Sequence, residues 1–417
     1  MNETVVIIGG GQAGAQAAIS LRKEGFSGVI TLVCEEPVLP YQRPPLSKTY
    51  LAGELAKERL FIKPAAFYEK ASIDLLLGVR VNAIDTQQQL LKLDNQQSLP
   101  YNHLVFATGG RVRPLHCPGI EHHHVHYLRT LADVDAMRDK FKPGKRLVII
   151  GGGYVGLETA AVAVKHDLDV SVLVARPTAL GRVTSKVVGQ FFEQVHRSAG
   201  VNLQSNTDVE CLEGDDEEVV LTTRGALLSA DLVVVGIGLL PNVELAESAG
   251  ILCEDGINTD QYGRTSVANI YAAGDCANHP NAIYKRRMRL QSVQNAIDQA
   301  KTVAASICGK NKPYTQIPWF WSDQYELKLQ TAGVNTGYDE IVLRGDPETR
   351  SFAAFYLRTG RLLAVDAINR PAEFVAARNI ISKHLTVSAV RLSDESIPAK
   401  ALAEPLEATN PNNGPTP

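Results

Sequence analysis

The sequence lacks paired cysteines, long apolar runs and an excess of charge of either sign. Its 417 residues include six cysteines, and no two of them are spaced as a CxxC or CxxxxC motif. This spacing argues against a redox-active dithiol and against a cysteine-based metal centre, since both commonly use closely spaced thiols. The cysteines are better explained as small, buried or half-buried hydrophobic residues.

The charge and hydropathy patterns exclude further classes of protein. The chain carries 42 Lys and Arg against 45 Asp and Glu, a net charge of −3, whereas a nucleic-acid-binding protein would need a strongly basic face. No run reaches the roughly 18 apolar residues of a membrane span, and the first apolar strand begins too close to Met1 for a signal peptide. We therefore expect a cytoplasmic protein that binds neither nucleic acid nor a membrane.

Two glycine-rich fingerprints stand out against this background. Gly9–Gly14 and Gly151–Gly156 both read G-G-G-x-x-G, and they follow the apolar runs Val5–Ile8 and Leu147–Ile150. A strand that feeds such a turn lets a pyrophosphate approach bare backbone and the N-terminus of the next helix. The chain is therefore predicted to hold two dinucleotides in two Rossmann-like domains.

The two fingerprint units differ where their second strand ends. In the first unit, Glu35 lies about 20 residues beyond Gly14, where a carboxylate accepts hydrogen bonds from an adenosine ribose. In the second unit the strand ends at Val174, the expected acid is absent and Arg176 follows closely. An Arg in this region can accommodate a 2′-phosphate. The nicotinamide cofactor is expected to be NADH, and the missing acid and Arg176 open the second site to NADPH as well.

Short apolar strands lead into Gly turns at three other places along the chain. These turns are Thr108-Gly109, Gly236-Ile237-Gly238 and Gly274-Asp275. Backbone approaches a ligand closely at such turns, which lie at the carboxyl ends of strands. Asp275 is accordingly predicted to meet ribitol or pyrophosphate groups.

From Pro318 onward the sequence changes character. Trp319-Phe320-Trp321 opens a series of alternating segments, which predicts a compact antiparallel sheet, and Pro371–Ile381 predicts a helix after it. Residues 408–417 are rich in Pro, Asn and Gly and are predicted to be disordered. The predicted fold class is α/β, with two Rossmann-like dinucleotide-binding domains and a C-terminal α+β domain.

The order of these motifs resembles the FAD-dependent pyridine nucleotide oxidoreductases with a glutathione-reductase-like fold. More narrowly, it resembles the ferredoxin reductases of bacterial oxygenase systems, the putidaredoxin reductase and rubredoxin reductase group. The matching segments are Arg43–Lys48, Ala107–Gly110, Gly151–Glu158, Val235–Gly238, Ala273–Cys276, Ser292–Ala296 and Pro318–Gln324. The resemblance implies an FAD-binding domain made of residues 1–112 and 244–318, an NAD(P)-binding domain at 113–243 and a C-terminal domain at 319–407.

The resemblance also implies roles for individual residues. Lys48 and Glu158 would form an ion pair beside the flavin N5, and Trp321 would lie at the flavin or at the docking face. The residues expected to contact FAD are Gly9, Gly11, Ala13, Gly14, Glu35, Arg43, Pro44, Lys48, Thr108, Gly109, Asp275, Ser292 and Val293. Those expected to contact NAD(P) are Gly151, Gly153, Tyr154, Val155, Gly156, Val174, Arg176, Gly236, Ile237 and Gly238.

The function implied by the resemblance is electron transfer from NAD(P)H through FAD to an acidic [2Fe-2S] ferredoxin that feeds a cytochrome or Rieske-type oxygenase. A basic run between two candidate flavin contacts would attract that ferredoxin; it comprises Lys285, Arg286, Arg287 and Arg289. We expect a monomer or weak dimer. The alternatives are an NAD(P)H oxidase or quinone-type reductase, a rubredoxin reductase and a signalling flavoprotein. A thiol peroxidase is disfavoured, because the loop from Tyr41 to Ser47 contains no cysteine.

Five histidines lie close together in the sequence, but their pattern does not predict a metal site. The group comprises His116, His122, His123, His124 and His126. It lies in a loop-like stretch that has neither the helical i, i+4 spacing nor the Cys partners of a metal site. We therefore expect a solvated loop and predict no metal site.

Overall fold

The computed structural model describes residues 3–404, and the contacts divide them into two compact units whose boundary falls between Gln316 and Ile317. The predicted disorder of residues 408–417 falls outside the described residues. Within that described span, no helix is both long and apolar enough to cross a membrane.

The first unit alternates strands with helices. Its strands are β1 (Thr4–Ile8), β2 (Val29–Cys34), β3 (Ile73–Leu77), β4 (Val81–Asp85), β5 (Leu90–Leu93), β6 (Ser98–Pro100), β7 (His103–Phe106), β8 (Gly110–Val112), β9 (Val125–Tyr127), β10 (Arg146–Ile150), β11 (Asp169–Val174), β12 (Asn202–Ser205), β13 (Val209–Gly214), β14 (Val219–Thr223), β15 (Leu227–Ala230), β16 (Leu232–Val235), β17 (Leu239–Pro241), β18 (Ile257–Asn258), β19 (Ile270–Ala272), β20 (Ala277–Asn281) and β21 (Arg286–Arg289). Its helices are α1 (Gln12–Glu24), α2 (Ala65–Lys70), α3 (Leu131–Arg138), α4 (Tyr154–Lys165), α5 (Lys186–Ser198), α6 (Glu244–Ser248) and α7 (Val293–Ile307).

The first fingerprint lies at the carboxyl edge of a parallel sheet with strand order β19-β7-β1-β2-β3. Val5–Ile8 is apolar at every position because the central strand β1 is covered on both faces. On one face, Ala17 and Leu21 of α1 pack with Ala300 and Val303 of α7. The alanines at this contact let the two helices approach each other closely, so the helix that follows the Gly loop is held against the sheet.

The second fingerprint lies at the carboxyl edge of another parallel sheet, with order β12-β11-β10-β16-β9. An antiparallel sheet, β13-β14-β15, packs onto this sheet through Leu212 and Val219. The stretch 111–129 supplies most of β8 and the edge strand β9.

A two-stranded ribbon joins the two parallel sheets. Strand β8 pairs antiparallel with β17, so the chain leaves the first sheet and returns to it side by side. The Thr108 hydroxyl donates to the Asn242 carbonyl at 2.8 Å, and the Asn242 amide donates to the Thr108 carbonyl at 2.9 Å. The ribbon therefore holds together the two chain segments that pass between the sheets. The predicted boundaries between the FAD and NAD(P) domains lie at these segments.

The second unit is an antiparallel sheet with helices. Its elements are β22 (Trp319–Gln324), β23 (Leu327–Gly333), β24 (Glu340–Asp346), β25 (Ser351–Arg358), β26 (Arg361–Ile368), α8 (Pro371–Ser382) and α9 (Ala389–Ser393), and the sheet order is β22-β23-β26-β25-β24. A buried ion pair ties β24 to α8, with Arg344 Nε 3.2 Å from Glu373 Oε1. The predicted α/β class with a C-terminal α+β domain is confirmed.

The two Gly-rich loops are built alike. A β-carbon on Gly14 would overlap the carbonyl oxygen of Gly9, and a β-carbon on Gly156 would overlap that of Gly151. The third glycine of the G-G-G run has more room. In the second motif, the nearest atom to a β-carbon on Gly153 would be 3.9 Å away. The last glycine of each motif, Gly14 or Gly156, is therefore required for close packing of the helix, whereas Gly153 borders free space.

We predict that Gly156→Ala destabilises the second parallel-sheet region by about 1–3 kcal/mol, because the added methyl group must displace backbone. Gly153→Ala is the matched control and should leave stability within about 0.5 kcal/mol of wild type. Urea denaturation of both variants measures the difference. Equal losses of stability in the two variants would contradict the packing argument.

Candidate functional site

A buried ion pair connects the segment after β2 with helix α4. Lys48 Nζ lies 2.7 Å from Glu158 Oε2, and the Glu158 side chain is only 4% exposed. The Ser47 hydroxyl donates to the same carboxylate oxygen at 2.6 Å. A buried carboxylate is strongly unfavourable unless it is paired and hydrogen-bonded, and both conditions are met here. The structure thus brings together the two residues that the resemblance pairs.

Local backbone structure sets the position of Lys48. Pro44–Ser47 forms a short 3-10 helix, and proline favours this conformation at a helix start because its φ is already fixed. Leu46 is fully buried and anchors the turn, so Ser47 and Lys48 are presented to Glu158. The Lys48 ammonium also lies 3.4 Å from the Pro44 carbonyl oxygen.

Two guanidinium groups converge beside the first Gly loop. Arg43 Nη2 lies 2.7 Å from Glu36 Oε1, and Arg43 Nη1 donates to the main-chain carbonyl of Arg129 at 2.7 Å. Arg129 in turn lies 3.4 Å from Asp275 and donates through Nε to the Gly110 carbonyl at 3.0 Å. Sequence reasoning missed Glu36 and Arg129, because Arg129 belongs to no motif and reaches the site only through tertiary contacts.

These features fit a pyrophosphate-containing dinucleotide such as FAD. A β-carbon on Gly11 would meet nothing within 4 Å, so free space borders this backbone. Helix α1 begins without a side-chain cap, which leaves its first amides available to a phosphate. Arg43 and Arg129 supply positive charge nearby. Glu35 lies just beyond β2, is 71% exposed and is 3.4 Å from Arg80.

The remaining predicted FAD contacts lie around the same sheet edge. Thr108 and Gly109 follow β7, and Ala13 is buried in the first turn of α1. A β-carbon on Gly274 would be 2.9 Å from that of Ala13, so the glycine lets the Asp275 turn approach α1. Ser292 caps α7, with its hydroxyl accepting from the Asn295 amide at 3.2 Å, and Val293 is the first residue of the helix.

The end of β11, beside the second Gly loop, holds no acid at the two positions where one is expected. Val174 is 4% exposed and packs against Gly152, where a β-carbon would be 2.7 Å from its methyl group. Matching main-chain hydrogen bonds place Val174 in the position of Cys34 and Ala175 in that of Glu35, so neither candidate position holds an acid. Arg176 is exposed and forms no ion pair within residues 3–404.

The other predicted NAD(P) contacts surround this loop. Tyr154 and Val155 open helix α4, and Val155 is 41% exposed although it is apolar. The turn 236–238 follows β16, beside the Gly loop, since a β-carbon on Gly151 would overlap the Gly236 carbonyl. Arg182, which sequence reasoning missed, brings Nη1 to 3.8 Å from the position of a β-carbon on Gly238.

The structure divides the basic run 285–289 into two groups. Arg287 donates to the main-chain carbonyl of Thr259 at 2.8 Å, and Arg289 pairs with Asp255 at 3.0 Å while only 12% exposed. Their charges therefore hold the β20–β21 hairpin in place. Lys285 and Arg286 occupy the end of that hairpin, and both are exposed, as is Arg287. The docking role of the run stays a prediction.

The thiols near the first loop are protected from solvent. Cys34 is buried, and burial, together with the Glu36 carboxylate, raises its pKa to about 12. Burial likewise raises the pKa of Cys276, the residue after Asp275. All six cysteines are free.

One pair of cysteines that is distant in sequence interacts in the fold. Burial raises the pKa of Cys117, and the nearby Cys211 thiol raises it further. The sequence spacing did not reveal this pair. The raised pKa makes the thiol less reactive at neutral pH, because the thiolate is the nucleophile.

Trp321 belongs to the second unit, so its predicted place at the flavin or docking face remains a prediction. Within that unit the Trp319 and Trp321 rings are 5.6 Å apart, and the Arg378 guanidinium lies 5.8 Å from the Trp319 ring centre. The tryptophan strand β22 is thus part of an aromatic cluster.

Comparisons with known proteins agree with this architecture. The profile of the pyridine nucleotide-disulphide oxidoreductases matches residues 3–300, and that of the reductase C-terminal domain matches residues 319–403. The chain is 43% identical over 414 residues to putidaredoxin reductase from Pseudomonas putida, which covers 98% of both chains. It is also 43% identical over 408 residues to a ferredoxin–NAD(P)+ reductase from Sphingomonas sp., covering 97% of this chain and 98% of the relative.

A solved structure shows the same likeness in three dimensions. The crystal structure of the covalent putidaredoxin reductase–putidaredoxin complex matches with a TM-score of 0.94 and 42% identity, covering 96% of this chain and 98% of the other. The resemblance inferred from the motifs is confirmed. This chain belongs to the pyridine nucleotide-disulphide oxidoreductase family and carries the family's reductase C-terminal domain.

Proposed function

We propose that this protein is a ferredoxin–NAD(P)+ reductase that passes electrons from NADH or NADPH through FAD to an acidic [2Fe-2S] ferredoxin of an oxygenase system. The observation that carries the proposal is the Lys48–Glu158 ion pair, which lies between two Gly-loop Rossmann sheets. Two full-length relatives support the acceptor class, since they are named as a putidaredoxin reductase and a ferredoxin–NAD(P)+ reductase.

In this proposal the first Gly loop holds FAD and the second holds the nicotinamide nucleotide. The FAD-binding domain comprises residues 1–112 and 244–318, and the NAD(P)-binding domain comprises residues 113–243. Arg43 and Arg129 supply positive charge to the FAD pyrophosphate region, and Asp275 supplies hydrogen-bond acceptors to hydroxyl groups. The amides at the start of α1 and α4, where no side chain caps the helix, bind phosphate in this proposal.

The side chains of the site align and polarise the cofactors, and none needs to act as a nucleophile. When bound, FAD supplies the chemistry of accepting a hydride and releasing electrons singly. Lys48 places a positive charge at the junction of the two sheets, and Glu158 and Ser47 fix its position. A fixed charge of this kind stabilises negative charge that develops nearby during a reaction.

We predict that Lys48→Met slows reduction of bound FAD by NADH roughly 10- to 150-fold, the effect of losing one charged hydrogen bond. Stopped-flow flavin absorbance measures this rate. Lys57→Met, which removes an exposed lysine from a nearby turn, is the control and should behave as wild type.

The Lys48→Met variant also leaves Glu158 buried without its cation. The double variant Lys48→Met/Glu158→Gln removes that complication, because it leaves no unpaired charge. Flavin reduction should remain slow in the double variant. A wild-type rate there would show that the ammonium itself is unimportant.

We predict that the wild-type protein uses both NADH and NADPH, because neither Val174 nor Ala175 supplies a carboxylate that would repel a 2′-phosphate. Ala175→Glu, at the exposed position that corresponds to Glu35, should shift the ratio of kcat/KM values towards NADH by roughly 10- to 150-fold. Arg176→Ala should lower kcat/KM for NADPH while leaving NADH nearly unaffected. A wild-type preference for NADH above about 100-fold would show that other contacts set selectivity.

The acceptor is tested by comparing ferricyanide with a [2Fe-2S] ferredoxin coupled to cytochrome c. We predict that the wild-type protein reduces both acceptors. Neutralising Lys285 and Arg286 to Ala should slow only ferredoxin reduction and flatten its salt dependence, because both charges are exposed. Arg224→Ala, a 90% exposed arginine elsewhere on the same unit, is the control.

Two outcomes would contradict parts of this proposal. If the protein reduces oxygen or quinone rapidly but does not reduce ferredoxin, the NAD(P)H oxidase or quinone-type alternative is favoured. If the variant without the Lys285 and Arg286 charges reduces ferricyanide and ferredoxin equally slowly, these two residues support the fold or FAD binding instead of docking.

A further inference from the structure

Three consecutive histidines lie at the end of the loop that precedes β9. Their metal-binding ring nitrogens all lie within 4.8 Å of one another. The rings stack, with centres 4.6 Å apart for His122 and His123 and 4.2 Å apart for His123 and His124. From the sequence we expected a solvated loop here. The structure gathers the three imidazoles into one compact cluster instead.

One member of the cluster is buried without a hydrogen-bond partner. His124 is 9% exposed, and neither of its ring nitrogens makes a hydrogen bond of good geometry within the described residues, although the main chain of Asp216 lies close by. Leaving a buried polar group unpaired is unfavourable, because the group has given up its hydrogen bonds to water. An unsatisfied imidazole next to two others is therefore a position where a ligand would recover lost interactions.

The loop that carries the cluster is held in place by packing. The Leu212 amide of β13 donates to the Pro118 carbonyl at 2.9 Å, and a β-carbon on Gly119 would overlap the Leu212 carbonyl. His124 also lines a cleft of about 640 Å³ that is bordered by Asp215 and Asp216 from the β13–β14 turn. Carboxylates are thus near the histidines.

We propose that His122, His123 and His124 form a binding site for a divalent late transition-metal ion such as Zn²⁺. Imidazole is a preferred ligand of Zn²⁺, Ni²⁺ and Cu²⁺, and three protein ligands with one open position are typical of tetrahedral zinc. The open position takes water or a carboxylate from the cleft.

Side-chain rotations that turn the three rings out of their stacked arrangement and towards one point would complete the coordination. Zinc–nitrogen bonds of about 2.1 Å place tetrahedral ligand atoms about 3.4 Å apart, a modest contraction from the present spacing. Binding also replaces the weak 3.4 Å contact in which the His124 amide donates to His122 Nδ1. Lys140 lines the same cleft, and its ammonium is engaged with His126 Nε2 at 3.0 Å.

The site lies away from the nucleotide-binding edge of its sheet. His124 directly precedes β9, which runs parallel to β16 and so in the same direction as β10. The Gly151–Gly156 loop follows the carboxyl end of β10, whereas His124 stands at the amino ends of the strands. A bound metal should therefore stabilise the loop without changing electron transfer.

The test uses full-length, FAD-loaded protein without a histidine tag, stripped of metal with EDTA and dialysed. Isothermal titration with Zn²⁺ should show one site per chain, and Zn²⁺ should raise the melting temperature. His123→Ala should weaken Zn²⁺ binding at least about tenfold and abolish that rise. Because His123 is exposed, this replacement should not disturb folding.

His116→Ala is the matched control, since His116 is exposed and lies in the same loop outside the cluster. It should bind Zn²⁺ as wild type does. Saturating Zn²⁺ should leave the NADH–ferricyanide rate unchanged. No binding by wild type, or equal affinity in wild type and His123→Ala, would overturn the proposal. These measurements need neither ferredoxin nor nucleotide binding, so they are independent of the proposed function.

Discussion

One buried carboxylate governs how the two nucleotide-binding halves of the first unit meet. Glu158 belongs to the helix after the second Gly loop, yet its partners, Ser47 and Lys48, belong to the segment after β2. A buried charge holds its neighbours within hydrogen-bond distance, because any separation would leave it unpaired in a poorly solvated position. The Thr108–Asn242 hydrogen bonds along the β8–β17 ribbon restrain the same halves where the chain crosses between them. These contacts hold the carboxyl edges of the two sheets in a fixed position relative to each other.

The order of the motifs predicted the fold class and most elements well, because parallel strands buried on both faces carry continuous apolar runs. The Lys48–Glu158 pair followed from the family resemblance, since nothing local links two residues so far apart in sequence. Long-range contacts account for what was missed. Arg129 reaches Asp275 only after folding, and His124 is placed by a hydrogen bond from Val233 of β16, which forms only when β9 joins its sheet. Charge patterning alone could not show that Arg289 turns inward to Asp255.

A second buried network holds the Asp275 turn. The Gly274 amide donates to the Gln299 side-chain oxygen at 2.8 Å, and the Gln299 nitrogen lies 2.9 Å from His279 Nδ1. Burial, together with Arg287, lowers the pKa of His279 to about 4, so the imidazole is neutral near pH 7 and its Nδ1 accepts from Gln299. The amide of Gln299 is consequently oriented from both ends. Asp275, the acid predicted to meet FAD, is thus positioned by helix α7, which also packs against α1.

The burial of Cys34 and Cys276 also bears on the chemical durability of the protein. Oxidants attack the thiolate form of cysteine, and both side chains have a raised pKa, with Cys34 near 12. At neutral pH almost none of either thiol is ionised, and neither sulfur is accessible to solvent. An oxidant that forms near the first Gly loop therefore meets two thiols that are protonated and shielded, and we expect both sulfur atoms to react with it slowly.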